Sequence, residues 1–253
     1  MRVNLIPMAG AGKRFSDEGY TLPKPLIDVN GKPMIIEACQ SLPQADLWIF
    51  VIREEHQSQF PLKETLLKEF PNSKFISIDY LTEGQATTAS LAKDLIPENS
   101  ELFIGPCDNG MTWNELEWKK IMNDAQVDAC IWTFRNNATV KRNPKMYGWV
   151  KTEGNNAISV SCKIPISDNP VQDHAIVGSF YFKKAKDFFN AYEVMFSKNR
   201  RINNEFYIDE LMNELIEKKQ KVKVFEIDHY LCYGTPNDLK TYEYWKHFFQ
   251  IAY

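Results

Sequence analysis

Apolar residues in the first half of the chain fall into short, nearly continuous runs that predict buried β-strands. The runs are rich in Ile, Phe and Val, and apolar runs of this length are typical of strands that are covered on both faces of a sheet. The five runs read VNLIPM, LWIFVI, KFISIDYL, ELFIGPC and DACIWTFR.

The segments between these runs have the spacing of apolar residues that favours helices. A regular alternation of strand and helix is typical of a doubly wound α/β fold, so we expect one mixed, mostly parallel sheet with helices on both faces. The helical segments read KPMIIEACQSL, EEHQSQFPLKETLLKEF, GQATTASLAKDL and NELEWKKIMNDA.

The pattern changes after Arg135, where a smaller β-rich region is predicted. YGWVKTEGNNAISVSCKI has the alternation of a hairpin with EGNN as its turn, and two further strands, HAIVGSFYF and KVKVFEI, follow. Phe188, Tyr192 and Met195 recur at helical spacing, which predicts a helix packed on the core. A last helix begins at TPND, where Thr235 suits the N-cap and Pro236 the first turn.

The composition excludes several classes of protein. The chain has 253 residues and a net charge of −3, so its bulk charge gives no reason to expect nucleic-acid binding. No apolar run reaches the ~18 residues of a membrane span, and the N-terminus lacks the features of a signal peptide. The five cysteines include no CxxC pair. We therefore expect a cytoplasmic protein without a disulfide framework or a zinc site.

The segment PMAGAGKRFSDEGYTLPKPL, which follows the first strand, has the composition of a phosphate-binding loop. Gly10 and Gly12 allow backbone N–H groups to turn toward an anion, and Lys13, Arg14 and Lys24 supply three cations. Residues 7–14 do not match a Walker loop, which requires a glycine at position 7 and Ser or Thr at position 14. The dinucleotide fingerprint requires a third glycine where residue 15 is Phe. A triphosphate site fits this loop, and an ordinary glycine turn with solvated basic residues is the alternative.

Three short motifs in this region resemble the signature AGGxGxRL…PKxLxPVxGKP of the nucleoside-diphosphate-sugar pyrophosphorylases, with alanine at position 11 as a mild departure. The motifs are residues 9–15, AGAGKRF, residues 23–26, PKPL, and residues 31–34, GKPM. The resemblance implies a Rossmann-like, GT-A-type nucleotidyltransferase fold. It also implies a reaction in which a nucleoside triphosphate and a phosphorylated acceptor give a nucleoside-diphosphate-linked product and pyrophosphate.

The resemblance assigns residues to the nucleotide. Arg14 is expected to stabilise the leaving pyrophosphate, and Lys24 to contact the α-phosphate or the acceptor phosphate, because fixed cations stabilise the charge of a phosphoryl-transfer transition state. A helix that starts near Ala86 is expected to offer free N–H groups. The other nucleotide-binding residues are expected to be Ala9, Gly10, Ala11, Gly12 and Lys13 in the first loop and Glu83, Gly84 and Gln85 near the base.

A magnesium ion is implied as the cofactor, with Asp108 as its ligand. Asp108 follows a predicted buried strand, which is where ligands bind in doubly wound sheets. Many members of the family carry a second metal-binding aspartate where this chain has Cys232, and a thiol is a poor ligand for Mg²⁺. We expect Asp108 to act with substrate oxygens alone, and Glu226 or Asp228 is the alternative second acid.

The second half of the chain is expected to bind the acceptor. The resemblance places Gly148 and Gly178 beside the acceptor, Lys163 on its phosphate and Glu205 on its hydroxyls. Cys162 stands where a glutamate is usual in the family. The implied organisation is a single domain with a nucleotide-binding half over 1–135, an acceptor-binding half over 136–235 and a C-terminal helix over 236–253.

The expected function is nucleotidyl transfer, with CTP as the preferred nucleotide and a role in capsule or surface-polysaccharide synthesis. The acceptor is a sugar 1-phosphate, or a non-sugar such as phosphocholine or a phosphorylated amino acid. One alternative is a GT-A-type glycosyltransferase, although Asp108-Asn109-Gly110 lacks the second acid of a DxD motif. The other is a nucleotide-binding regulator without catalysis. Members of the family are often homo-oligomers, but no feature of the sequence defines an interface.

Overall fold

A computed structural model describes the backbone of residues 1–252 and the side chains of residues 1–250, so Tyr253, at the end of the expected C-terminal helix, lies outside the described residues. The strands are β1 Arg2–Pro7, β2 Asp28–Val29, β3 Lys32–Pro33, β4 Leu47–Arg53, β5 Ser73–Ile78, β6 Glu101–Ile104, β7 Asn109–Thr112, β8 Ala129–Phe134, β9 Gly148–Glu153, β10 Asn156–Cys162, β11 His174–Phe182, β12 Val222–Glu226 and β13 His229–Cys232. The helices are α1 Lys13–Ser16, α2 Met34–Gln40, α3 Glu54–Gln59, α4 Leu62–Glu69, α5 Gln85–Ser90, α6 Glu115–Asn123, α7 Ala185–Ser197, α8 Ile208–Glu217 and α9 Pro236–Ala252.

A nine-stranded mixed sheet in the order β5-β4-β1-β6-β11-β8-β12-β10-β9 forms the centre of the fold. The strands β5, β4, β1 and β6 are mutually parallel, and β12 is parallel to β8. β10 and β11 run opposite to the strands beside them. The expected doubly wound α/β fold with a mostly parallel mixed sheet is therefore confirmed.

Apolar residues on the two faces of the sheet form two separate core clusters. Ile49 and Val51 of β4 belong to the cluster that contains residues of α5, α7 and α8, whereas Trp48 and Phe50 belong to the cluster that contains residues of α2, α4 and α6. Successive side chains of a strand point to opposite faces, so a strand covered on both faces must be apolar throughout. This requirement explains the continuous apolar runs in the sequence.

One segment predicted as a single helix, residues 54–70, is divided into α3 and α4. Phe60 has extended backbone angles, φ −139° and ψ 149°, and Pro61 follows it. Proline has no N–H to donate to the preceding turn and disfavours helical angles in the residue before it. The break between α3 and α4 at Pro61 could therefore have been predicted from the sequence.

Two short strands that the sequence did not predict bring together the segment that follows β6 and the segment that follows β12. β7 pairs with β13 in a separate two-stranded sheet, in which Asn109 lies opposite Cys232. The start of α9 follows directly, and the Thr235 hydroxyl accepts a hydrogen bond from the Asp238 N–H, as expected for an N-cap. This pairing fixes the segment around residue 234 beside the end of β6.

None of the helices described over residues 1–252 combines the length and apolar character needed to cross a membrane.

Phe206, in the segment before α8, connects that segment to residues 83–86 at the start of α5. Its side chain is 0% exposed, and its backbone exchanges hydrogen bonds with the loop before α5, from Phe206 N to Glu83 O at 2.7 Å and from Ala86 N to Phe206 O at 2.9 Å. The Phe206 ring lies 5.2 Å from that of Phe196, which is 48% exposed.

We expect Phe206→Ala to lower the free energy of unfolding by about 3–5 kcal/mol, because truncation of a buried aromatic residue leaves a cavity. Phe196→Ala, in the same aromatic cluster but at the surface, is the matched control and should cost less than about 1 kcal/mol. Urea unfolding of both variants measures the difference, and equal losses would contradict the role given to Phe206.

Candidate active site

A cleft of about 430 Å³ lies at the carboxyl ends of the central strands, where the sequence places most of its candidate residues. Its walls come from distant parts of the chain, because parallel strands bring the loops that follow them to one edge of the sheet. The expected site residues that line it are Arg14, Gln85, Asp108, Gly148, Lys163 and Gly178.

The glycine-rich loop forms a second, smaller pocket of about 260 Å³ next to this cleft. Gly10, Gly12 and Lys13 line the pocket, and Arg14 lines both the pocket and the cleft. Gly12 has φ +62°, a left-handed conformation that favours glycine. Ala9, by contrast, is buried in the core, and Ala11 does not line either cavity among the described residues.

Arg14 has no ion-pair partner within the described residues. Phe15, which follows it, is buried and packs edge-on against Tyr20 with a ring-centroid distance of 5.1 Å. Phe15 thus anchors α1 to the body of the protein while Arg14 faces the two cavities. This arrangement leaves the guanidinium group available to an anion.

Lys24 and Asp108 form an ion pair with an Nζ to Oδ2 distance of 2.5 Å. The two side chains are 13% and 28% exposed, so the pair is largely shielded from water. The Lys24 ammonium also lies 5.7 Å from the centre of the Phe15 ring, a cation–π contact. Gly234 closes the other side of Asp108, because a Cβ at that position would lie 2.9 Å from Oδ2.

The loop before α5 is held in place by contacts with the segment that precedes α8. Glu83 forms a two-pronged ion pair with Arg201, with N–O distances of 3.0 and 3.1 Å, so its carboxylate is already engaged. Gly84 has φ +114°, and a Cβ there would lie 2.7 Å from the backbone of Phe206.

The expectation of free N–H groups at the start of α5 is wrong for Ala86, because its N–H donates to the Phe206 carbonyl. Of the three expected base-binding residues, Gln85 is the one that reaches the main cleft.

Lys163 lines the same cleft as Arg14 and Asp108. It has φ +64°, and its ammonium donates to the Met146 carbonyl at 2.6 Å and lies 5.3 Å from the centre of the Tyr207 ring. The bond to Met146 ties Lys163 to the segment that contains Lys145, which also lines the cleft.

Gly148 is expected beside the acceptor, and in the structure its near neighbour is the Asp209 side chain. A Cβ at this position would lie 2.0 Å from the Asp209 Oδ2 atom, so the absent side chain makes room for this carboxyl group. Asp209 is only 8% exposed and lines the cleft, and its burial raises its pKa above the ordinary range, although Lys163 lowers the pKa in part. Asp209 also provides a carboxyl group near Cys162, the residue that stands where the family usually has glutamate.

Gly178 and Glu205 differ in their relation to the cleft. Gly178, with φ +92°, lies where the register between β11 and β8 shifts, and it lines the cleft. Glu205 is exposed and does not line the cleft among the described residues, although Asn203 and Tyr207 on either side do. The Glu205 side chain is hydrogen-bonded to the Tyr207 side chain and so contacts the cleft only through that residue.

The surroundings of Asp108 suit a magnesium ion whose other ligands are supplied largely by a substrate. Asp108 supplies hard oxygen donors, and no group of three His, Cys, Asp or Glu side chains that could hold a metal occurs in the described part of the chain. Cys232 lies nearby, but burial raises the pKa of its thiol to about 12, so it stays neutral. Of the alternative acids, Glu226 is paired with Arg135 at 2.6 Å, and neither Glu226 nor Asp228 lines the cleft.

The side chains that line the cleft include Lys145, Tyr207, Asp209 and Asp238, which sequence reasoning did not assign to it. Asp238 lies in the first turn of α9. The signal for Lys145 was its position two residues before Tyr147-Gly148, but no local pattern distinguishes it from the other basic residues of that segment. Asp209 lies in an ordinary amphipathic helix, where an acid in the first turn is common, so its burial was not predictable.

The chain is similar to known proteins in sequence and in fold. The family model described as Nucleotidyl transferase matches residues 3–246 of the chain. Mannose-1-phosphate guanyltransferase beta-B of Xenopus laevis is 31% identical over 102 residues, which are 40% of this chain and 28% of that protein. Mannose-1-phosphate guanyltransferase of Schizosaccharomyces pombe is 27% identical over 104 residues, again 28% of its length. The matched segment thus spans little more than a quarter of these relatives.

Two solved structures share the fold over almost the whole chain. The nucleoside-diphosphate-sugar pyrophosphorylase of Vibrio cholerae RC9 superposes with a TM-score of 0.76 and 20% identity, covering 94% of this chain and 98% of that one. The inositol-1-phosphate CTP transferase of T. maritima gives a TM-score of 0.74 and 16% identity, with coverage of 96% and 93%. At these identities the likeness establishes the fold.

The glycine-rich loop, the cleft at the carboxyl ends of the strands and a family model that covers residues 3–246 lead to one conclusion: this chain belongs to the nucleotidyl transferase family.

Proposed function

We propose that this protein transfers a nucleoside monophosphate group from a nucleoside triphosphate to a phosphorylated small molecule and releases pyrophosphate. The observation that carries the proposal is the composition of the cleft. Arg14, Asp108 and Lys163 line the main cleft together, and Lys24, which lines the adjacent loop pocket, is paired with Asp108. A reaction that joins two anionic substrates requires cations around the point where they meet.

The transfer proceeds by attack of an oxygen of the acceptor phosphate on the α-phosphorus of the triphosphate. A new P–O bond forms as the bond to the β-phosphate breaks, and pyrophosphate leaves with the electron pair. The acceptor phosphate is already ionised, so no general base is required. In this proposal Arg14 stabilises the leaving pyrophosphate, Lys24 contacts the reacting phosphate, and Lys163 holds the acceptor phosphate.

The division of the chain follows from these roles. Residues 1–135 form the nucleotide-binding half, with Gly10, Gly12 and Lys13 around the phosphates and Gln85 near the base. Residues 136–235 form the acceptor-binding half, with Gly148 and Gly178 lining the cleft. The Glu83–Arg201 ion pair makes Glu83 a positioning residue that joins the halves, and Tyr207 gives Glu205 an indirect route to the acceptor.

Mg²⁺ is the proposed cofactor, with Asp108 as its protein ligand and substrate phosphate oxygens and water as the remaining ligands. When bound, it neutralises charge on the phosphates. The Lys24 ammonium is the present counterion of Asp108 and would turn to a phosphate oxygen when the metal takes the carboxylate.

CTP is the nucleotide that we place first, and the likeness to an inositol-1-phosphate CTP transferase supports it. GTP comes second, because curated relatives that match part of the chain are named mannose-1-phosphate guanyltransferases. The acceptor is a sugar 1-phosphate or a related phosphate ester, and synthesis of capsule or another surface polysaccharide would use such a product.

An assay of pyrophosphate release tests the activity. The protein is incubated with Mg²⁺, a panel of phosphorylated acceptors and each of CTP, GTP, UTP, dTTP and ATP. Tight binding of a triphosphate with no release from any pair would contradict it.

We expect Arg14→Ala and Asp108→Asn each to lower kcat/KM by at least about 10²-fold, the scale for removal of one prearranged charged contact. Asp228→Asn and Lys119→Ala are the controls, because both side chains are exposed and lie outside the cleft. Steady-state pyrophosphate release measures all four. If the two cleft variants kept the rate of the controls, the site assignment would be wrong even with the activity established.

Removal of divalent cations with EDTA should abolish pyrophosphate release, and added Mg²⁺ should restore it. Asp108→Asn should raise the Mg²⁺ concentration that gives half the maximal rate, because it removes the one proposed carboxylate ligand. A magnesium titration of both proteins measures this shift. An unchanged midpoint in the variant would mean that Asp108 is not a ligand and that the substrate alone binds the metal.

A further inference from the structure

The C-terminal half of α9 carries four aromatic side chains on the surface of the protein. Tyr244 is 62% exposed, Trp245 50%, Phe248 46% and Phe249 53%. The other three rings lie 5.4, 5.8 and 6.1 Å from that of Trp245, so the four side chains form one continuous surface, which we call the aromatic patch. Contiguous apolar surface of this kind marks a place where a protein binds something else.

The first half of α9 is anchored to the body of the protein, whereas the second half is open to solvent. Leu239 is 3% exposed, and the Tyr242 ring lies 5.5 Å from the buried Tyr233 ring. From residue 243 to residue 250, every side chain except that of Lys246 is exposed. The aromatic patch therefore lies on a segment of helix that a flat surface could reach.

The charged side chains of α9 are arranged around the patch as in a helix that lies on an anionic surface. At about 100° per residue, the four aromatic side chains span an arc of about 140° of the helix. Lys246 lies about 60° beyond one edge of this arc, and Lys240 lies about 40° beyond the other. Glu243 lies about 160° from Trp245, on the far side of the helix. Two cations thus flank the apolar arc, and the acid faces away from it.

Both lysines are available to an anion. Lys246 forms no ion pair with the side chains described over residues 1–250. Lys240 pairs with Glu18 at 3.2 Å, but the two side chains are 64% and 49% exposed, so the pair is weak and is readily exchanged for another anion. Burial and the nearby Asp28 raise the pKa of Glu243, which confirms that this acid turns toward β2 and away from the patch.

A second copy of the chain is a less suitable partner for this surface than a lipid bilayer. A buried aromatic side chain contributes about 150–250 Å², so four that are half exposed offer roughly 300–500 Å² per copy. A specific interface of standard size needs about 800 Å² from each partner. Paired helices also meet through Leu, Ile or Val at heptad spacing, and this patch is entirely aromatic. A bilayer makes neither demand, because Trp, Tyr and Phe side chains insert individually at the level of its head groups.

We propose that the aromatic patch of α9 binds the surface of an anionic lipid bilayer, with its rings at the boundary of head groups and acyl chains and with Lys240 and Lys246 on the lipid phosphates. The helix lies in the plane of this boundary. Binding is reversible, because one short apolar face with two lysines gives only modest affinity. This contact goes beyond the proposed nucleotidyl transfer and does not depend on it.

Cosedimentation with lipid vesicles tests the contact. The protein is mixed with vesicles of equal parts phosphatidylcholine and phosphatidylglycerol, or of phosphatidylcholine alone, and the bound fraction is measured. Wild-type protein should bind the mixed vesicles at least about tenfold more tightly than the neutral ones, because each lysine near an anionic surface adds roughly fivefold in affinity. Added NaCl should reduce this difference, because salt screens exposed charges.

Variants of the patch and of its flank separate the two contributions. Trp245→Ser combined with Phe248→Ser should lower the affinity for the mixed vesicles at least about tenfold, because binding scales with buried apolar area. Lys246→Glu should lower it by about 10- to 30-fold, because the charge changes by two units. Phe196→Ser and Lys119→Glu are the matched controls, since they change an exposed aromatic residue of α7 and an exposed lysine of α6. Both controls should bind as wild-type protein does, and thermal unfolding checks that all four proteins are folded.

Trp245 also reports the contact directly. The other five tryptophans of the chain are buried or half-buried, so a change in fluorescence when vesicles are added comes mainly from Trp245. Mixed vesicles should shift its emission to shorter wavelength, and lipids brominated on the acyl chains should quench it. Trp245→Phe should keep the binding and lose the shift.

The results that contradict the membrane contact need no measurement of pyrophosphate. Equal affinity of wild-type protein and the double serine variant for the mixed vesicles, or no binding by either, contradicts it. Equal binding of wild-type protein to mixed and neutral vesicles contradicts the role of the lysines. A dimer in sedimentation velocity without lipid, which the double variant dissociates, would assign the patch to a second copy of the chain. Each of these outcomes leaves the proposed nucleotidyl transfer standing.

Discussion

The ion pair between Lys24 and Asp108 is the interaction on which the arrangement of the site depends. It joins the stiff Pro-Lys-Pro segment after the glycine-rich loop to the end of β6, 84 positions away in the chain. Desolvation of two charges is costly, and a pair as shielded as this one adds little net stability. Its effect is positional, because it sets the distance between the pocket under the loop and the main cleft.

Charged side chains of both signs line the cleft. The cations include Arg14, Lys145 and Lys163. Two of the carboxyl groups are packed against glycines: Asp108 against Gly234, and Asp209 against Gly148. Each of these glycines leaves space that the carboxyl group fills, so close packing helps to fix where the acids point, and the Lys24 ion pair holds Asp108 as well.

Besides the pairing of β11 and β12 with β6 and β8 in the central sheet, the two halves of the chain are joined by contacts between the loop before α5 and residues 201–206. Glu83 and Arg201 form the ion pair, and the backbone of Phe206 hydrogen-bonds to the loop before α5. The same short segment then leads through Tyr207 to Asp209. A shift of the loop before α5 would thus move the part of the cleft lining that Tyr207 and Asp209 provide.

The sequence by itself determined the class of fold, the loop after β1 and the family. The reason is that these features are local: a strand covered on both faces must be continuously apolar, and a loop that holds phosphate needs glycines and cations at fixed spacing. The same logic located Asp108, Gly148 and Lys163, whose motifs are short. Only the tertiary structure decided that Glu83 is engaged by Arg201, that Glu205 stays outside the cleft, and that Gly148 makes room for Asp209. Burial and partner choice depend on residues far apart in the chain, and no local pattern distinguishes a carboxyl group that faces water from one that faces a cleft.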